Sequence, residues 1–264
     1  MTDLADITQF LDQQNPPDLA EDWDNVGLLL GDPQSKTIRV LTCLTLTPDV
    51  AAEAVNKNVN LIVSHHPILF RPIQKIASTT SEGAMLLKLI QHGIAVYSPH
   101  TAFDSAAEGI NQQIAMRFGL TEIQPLRPTD ENESIGTGRF GELPERMSLK
   151  ELAARIRDEF RLPAVQFAGD PDMSVQRLGI ACGSAAEFLT DARKAGCQAF
   201  LTGEARFHSA LEARTEGIGL ILIGHYASER PAVEQLATVI ADQFPQLDVW
   251  ASDVETDPLQ WSIT

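Results

Sequence analysis

Apolar residues fall along this chain in two alternating patterns. Leu4, Ile7, Phe10 and Leu11 recur at helical spacing and predict an amphipathic opening helix. Val40-Leu41-Thr42-Cys43, Leu61-Ile62-Val63-Ser64 and Ile94-Ala95-Val96-Tyr97 are short continuous runs, as expected of strands buried on both faces. A helical stretch from Asp49 to about Lys57 separates the first two runs. The alternation then returns. Leu149, Leu152, Ile156 and Phe160 form a second stripe. The runs Leu178-Gly179-Ile180-Ala181, Ala199-Phe200-Leu201-Thr202 and Leu220-Ile221-Leu222-Ile223 follow, with a helical stretch from Ala186 to about Ala195 after the first. Ile110, Ile114 and Phe118 mark a further helix. Val233, Leu236 and Ile240 predict a last one from Pro231 to about Phe244.

The return of the pattern is a duplication. Gly31-Asp32-Pro33 and Gly169-Asp170-Pro171 stand 138 positions apart, and so do Arg39 and Arg177 and the two strands that follow each Arg. A shared offset over a turn, an Arg, two strands and a helix is hard to reach by chance. The chain therefore divides into a first α/β repeat over 1–125, a connection over 126–144 and a second repeat over 145–230. A C-terminal segment over 231–264 is expected to pack on the first repeat. The fold class is α/β: two repeats with mostly parallel or mixed sheets flanked by helices. In such sheets sites form beyond the carboxyl ends of strands.

Composition narrows the function. The 264 residues are 44% hydrophobic and 21% charged, with 20 basic against 36 acidic side chains and a net charge of −16. That surface repels phosphate backbones, so no nucleic-acid partner is expected. No apolar run reaches the roughly 20 residues of a membrane span, so no membrane partner is expected. The acidic start, Met1 to Asp6, lacks the basic and apolar regions of a signal peptide, and the expected compartment is the cytoplasm. Cys43, Cys182 and Cys197 form no C-x-x-C pair and read as buried small hydrophobes in a reducing compartment.

Candidate chemistry gathers at the strand ends. Ser64-His65-His66-Pro67 follows the second apolar run of the first repeat. Adjacent side chains on a strand face opposite ways, so both imidazoles reach one locus only if the chain turns, which Pro67 favours. The competing reading is a surface or capping pair. His100…Asp104 and His225…Glu229 each place a carboxylate four residues after a His that follows a strand. On a helix, such pairs share a face. Asp104 also reads as an N-cap, and Glu229 as a charge favoured by the helix dipole. The duplication argues for more, because each copy keeps His-x3-acid after its third strand. His65, His66, Asp104, His225 and Glu229 make three nitrogen and two oxygen ligands. That is more than one structural ion needs and suits two ions with positions left open. Mixed N/O ligation fits Zn, Fe, Mn, Ni or Co. Glu204, in Thr202-Gly203-Glu204, matches the place of His66. With His208 it reads as a partner behind a ligand, a general base, a substrate contact or a surface pair. Phosphate loops and a nucleophile elbow are absent.

These motifs resemble the Nif-three-like family, the GTP cyclohydrolase I type 2 homologs. The likeness spans nearly the whole chain. Besides the His and acid motifs it rests on Trp23-Asp24-Asn25-Val26-Gly27-Leu28 and Gly138-Arg139-Phe140-Gly141-Glu142-Leu143. It implies two intertwined α/β repeats and a homohexamer enclosing a cavity. It also implies two divalent metal ions per subunit on the five residues above, with His100 and Glu204 matching positions near the metals; in a hydrolase, Glu204 or His100 is the expected catalytic proton shuttle. One departure stands out: members usually carry Asp where this chain has Thr45. The implied function is a metal-dependent hydrolase acting on a nucleotide-like or other small molecule. The alternative is a non-enzymatic metal-binding, metal-delivery or scaffold protein.

Overall fold

A computed structural model describes residues 1–129 and 132–262, and its chain forms two compact units. The first holds Met1–Phe103 and Arg230–Thr256; the second holds Asp104–Glu229 and the residues from Asp257 on.

In the first unit the sheet runs Asp248–Ala251, Arg39–Cys43, Leu61–Ser64, Ala95–Ser98, Gly27–Leu30. The first four strands are parallel and the last is antiparallel. Leu61–Ser64 and Ala95–Ser98 are buried throughout, as unbroken apolar runs require. The helix Pro48–Asn56 starts where Thr47 accepts from the Val50 N–H and Pro48 fills the first turn. The helix Ser81–Gln91 is capped by Thr80 in the same way. Their apolar faces, with Val50, Ala54, Leu86 and Leu89, pack on Leu41, Ile62 and Val96.

In the second unit the sheet runs Gln166–Ala168, Gly219–Leu222, Ala199–Thr202, Ser174–Ala181, Arg139–Ser148, Thr121–Gln124. The three strands Gly219–Leu222, Ala199–Thr202 and Ser174–Ala181 are parallel, and the flanking ones antiparallel. The helix Leu149–Glu159 opens with a capping box between Ser148 and Glu151. Phe200 and Leu220 anchor a core against Leu189, Ala192 and Ala213.

The duplication holds hydrogen bond for hydrogen bond. Leu4 and Ala5 donate to Ser35 and Pro33; Leu149 and Lys150 donate to Met173 and Pro171. The Asn60 side chain accepts from the N–H groups of Ile38 and Arg39, as Gln198 does from Gln176 and Arg177. The Arg39 guanidinium donates to the Lys57 carbonyl and that of Arg177 to the Ala195 carbonyl.

Three expectations change. Residues 126–144 do not merely connect: they lie in the second unit and supply Arg127–Pro128, Gly136–Thr137 and the start of Arg139–Ser148. Alternation of Arg139, Gly141 and Leu143 as buried positions makes a strand there, and residues 130–131 lie outside the described ones. The last helix is His225–Gln243, with Pro231 inside it. Pro231 costs that helix one backbone N–H without ending it. Third, the two His-x3-acid motifs are out of step by one residue. Ala95 pairs with Leu61 as Gly219 pairs with Ala199, which matches His100 with Gly224, not His225. His100 has φ +29 where Gly224 has +91. A His thus sits in backbone geometry that glycine adopts freely, a strain often found at functional positions. Among the described residues no helix is long and apolar enough to cross a membrane.

Candidate functional site

The first unit gathers three imidazoles. The His65 and His66 N–H groups donate to Cys43 and Leu44, continuing the strand ladder past Ser64. Ser98 Oγ donates to the His65 carbonyl at 2.7 Å and Ser64 Oγ to the His66 carbonyl at 2.8 Å, which pins the turn. The ring of His65 is buried and those of His66 and His100 are half-buried. Ring centroids lie 5.1 Å apart for His65–His66, 5.3 Å for His65–His100 and 5.7 Å for His66–His100. One ring nitrogen from each of the three lies within 4.8 Å of the others. Exposed Trp23 and half-exposed Phe70 pack edge-on around His100.

Asp24 was not expected here. Its Oδ1 lies 2.7 Å from His100 Nδ1, and it accepts from the Asn25 N–H and from the Thr101 N–H and hydroxyl. Burial alone would raise the Asp24 carboxyl, but these donors, His100 first, hold it down at about 2. An ionised Asp24 at Nδ1 fixes the orientation of the His100 ring. The only sequence signal for this was Asp24's place in the Trp-Asp-Asn stretch. Its partner is 76 residues away.

The second unit holds Asp104, His225, Glu229 and Glu204. Asp104 is the fifth residue of the helix His100–Ser105, and the next helix, Ile110–Arg117, has Gly109 at its N-cap, so Asp104 caps neither. Its Oδ1 lies 3.2 Å from Cys182 Sγ. Its carbonyl accepts from Asn111, whose own Oδ1 accepts from the Cys182 N–H. Burial, then the carboxylates of Asp104 and Glu229, push the Cys182 thiol well above its ordinary value. That thiol is a protonated neighbour of both acids rather than a nucleophile. His225 and Glu229, four apart on one helix face, touch through Nε2 and Oε2 at 3.1 Å. Glu204 Oε1 approaches His225 Nδ1 at 3.0 Å. Glu229 first, and Glu204 with it, raise His225 to about 9 against the cost of its burial.

Glu229 is 3% exposed. The space it fills exists because residue 183 is glycine. Gly183 has φ +66, and a Cβ there would lie 2.3 Å from Glu229 Oε1. His208 is exposed on the first turn of Phe207–Glu216 with its ring against Phe207.

The donors suit divalent ions. A proton shared between His225 Nε2 and Glu229 Oε2 holds together two groups whose lone pairs a cation would equally satisfy. The Glu204–His225 contact has the form of a carboxylate behind a ligating imidazole. Three clustered imidazoles, in a chain with six histidines in all, are nitrogen donors of the kind that zinc and iron take. Of the expected ligands, His65 and His66 stand in the first unit, and Asp104, His225 and Glu229 in the second.

An α/β chain of two matched repeats, with imidazoles and carboxylates beyond the parallel strands, defines a class that comparison with known proteins makes specific. Residues 2–258 match the Duf34/NIF3 (NGG1p interacting factor 3) family, and the chain belongs to it. A GTP cyclohydrolase 1 type 2 homolog of Clostridium acetobutylicum is 35% identical over 231 residues, 87% of this chain and 86% of that protein. One from Streptomyces coelicolor is 34% identical over 98% of this chain and 94% of its own. The crystal structure of Staphylococcus aureus protein SA1388 superposes with a TM-score of 0.90 at 29% identity, covering 99% of each chain.

Proposed function

We propose that this chain holds two divalent ions per subunit on His65, His66, Asp104, His225 and Glu229 and hydrolyses a nucleotide-like or other small molecule. The observation that carries the reading is the His225 imidazole set between Glu229 and Glu204, a ligand with its carboxylate partner already in place. The names of the curated relatives point the same way. When bound, such ions supply a water acidified toward neutrality and polarise the bond to be cut. The chain's own groups do the rest. Glu204 orients His225 and, half-exposed, takes up or returns a proton. Asp24 holds His100 by Nδ1, and the His100 imidazole exchanges a proton with substrate. The proposed assembly is a cytoplasmic homohexamer that excludes long nucleic acid from its interior.

Metal analysis of purified protein by ICP mass spectrometry is the first test. About two ions per subunit are expected, lost in the His65→Ala/Glu229→Ala double variant. Little metal after anaerobic reconstitution would end the reading. With metal established, Glu204→Ala is expected to abolish turnover on a nucleotide panel. Rapidly exchanging metal with no turnover on any panel member would favour metal delivery or a scaffold instead.

A further inference from the structure

Thr45 touches the ring of His66. Its Oγ1 lies 2.7 Å from His66 Nδ1. The turn that carries Thr45 is fastened by a carboxylate from the far end of the first unit's chain. Glu255 accepts from the Leu44 N–H at 2.8 Å with one oxygen and from the Thr45 N–H at 2.6 Å with the other. The Glu255 side chain is 4% exposed and pairs with Arg230 at 3.2 Å. The segment bearing it is anchored where Ser252 Oγ donates to Glu53 at 2.6 Å and the Asp253 N–H to Glu53 at 3.3 Å.

A neutral imidazole carries one proton and one lone pair. A hydroxyl at Nδ1 can donate or accept. If it donates, the ring proton sits on Nε2 and that nitrogen has nothing to offer a cation. If it accepts, Nδ1 carries the proton and Nε2 presents its lone pair. We infer that Thr45 is a positioning residue that accepts the His66 Nδ1–H and so holds Nε2 as the donor, with Glu255 fixing Thr45 for that task. This rests on His66 being a metal ligand. An ionised carboxylate at position 45 could only accept and would add a negative charge behind the ring. The threonine keeps the acceptor and drops the charge, so it directs His66 while making it a less basic ligand. The matched residue of the second repeat is Gly183, which has no side chain to play this part.

The first measurement needs no metal: the nitrogen shifts and ring couplings of His66 in metal-free protein by NMR. The Nδ1–H tautomer is expected in wild type and in Thr45→Ser, and the Nε2–H tautomer in Thr45→Val. The second is zinc affinity by competition with a chromophoric chelator. Thr45→Val should weaken one site about 10–100-fold, Thr45→Ser should restore it, and Thr45→Asp should bind more tightly than wild type. Glu255→Gln should show a smaller loss than Thr45→Val. Thr45 is exposed, so the Thr45 variants are expected to fold. An Nε2–H tautomer in wild type, or unchanged zinc affinity in Thr45→Val, overturns the inference. Wild-type protein with the Nδ1–H tautomer that takes up no zinc keeps the hydrogen-bond direction and overturns the metal reading instead.

Discussion

At matched places beyond their parallel strands the two repeats carry different side chains: Thr45 and His66 in the first, Gly183 and Glu204 in the second. The backbone around them is nearly the same. Arg39 and Arg177, Asn60 and Gln198, and the turns at Pro33 and Pro171 make equivalent hydrogen bonds. The difference lies in which donor side chains each repeat carries and what holds them. The first offers imidazoles and sets them with neutral or ionised oxygen acceptors, Thr45 on His66 and Asp24 on His100. The second offers His225 paired with one buried carboxylate, Glu229, and leaves room for that carboxylate by having no side chain at Gly183. Duplication supplied one scaffold twice, and divergence at a few strand-end positions gave each copy different donor side chains.

The sharpest way to break the comparison is to place the same residue at both matched positions. Gly183→Ala must hold a left-handed backbone, at roughly 1–2 kcal/mol. It also crowds the Glu229 carboxylate, at about 1–3 kcal/mol more. Thr45→Ala removes one partly solvated hydrogen bond, worth about 0.5–1.5 kcal/mol. Chemical denaturation of both variants should therefore show a clearly larger loss for Gly183→Ala. Equal losses would mean that Glu229 can sit elsewhere.

Next comes pH. The folded chain holds the His225 proton up to about 9, against an ordinary value of 6.5. The stability this lends is complete below about 6.5 and disappears as pH rises through about 9. Melting temperatures of metal-free protein should decline across that window, and His225→Gln should remove the decline. Metal affinity should rise over the same window, since a cation displaces that proton. In the first unit the sign reverses. Asp24, held at about 2, contributes stability above 3.8 that is lost as pH falls through about 2. Asp24→Asn should flatten only the acid limb.

The smallest effect belongs to the matched arginines. Arg177 pairs with Glu142 at 2.6 Å, whereas Arg39 lies 3.5 Å from Asp248. All four side chains are partly solvated, so each Arg→Ala change should cost a few tenths to about 1 kcal/mol. Arg177→Ala should be the more costly. The reverse order would show that the shared carbonyl contact, not the ion pair, sets the scale.

Much of this was legible along the chain. Runs such as Leu61–Ser64 and Ala199–Thr202 read as buried strands, because three consecutive apolar residues leave neither face for water. Residues spaced like Leu149, Leu152 and Ile156 have to line one helix face. The His and acid residues announced a donor set by type. Asp24, Cys182, Asn111 and Glu255 gave no such notice. Each acts on a residue far away in sequence, as Glu255 does on Thr45 across 210 positions. The one-residue slip between His100 and His225 was hidden for a related reason. Spacing within each motif is the same, and only strand register reveals that His100 stands where the second repeat has Gly224.

The sequence by itself determined the apolar core strands and the amphipathic helices beside them, the doubling of the pattern, and which side chains can bind a cation, but not the strands over 126–144 or the start of the last helix at His225. Those properties follow from local periodicity and from the chemistry of single residues. Tertiary structure decided which oxygen stands behind which imidazole, where a backbone turns left-handed, and where a missing Cβ makes room for a carboxylate. These depend on distances of 2.6 to 3.2 Å between groups brought together only when the chain packs, and no local pattern encodes them.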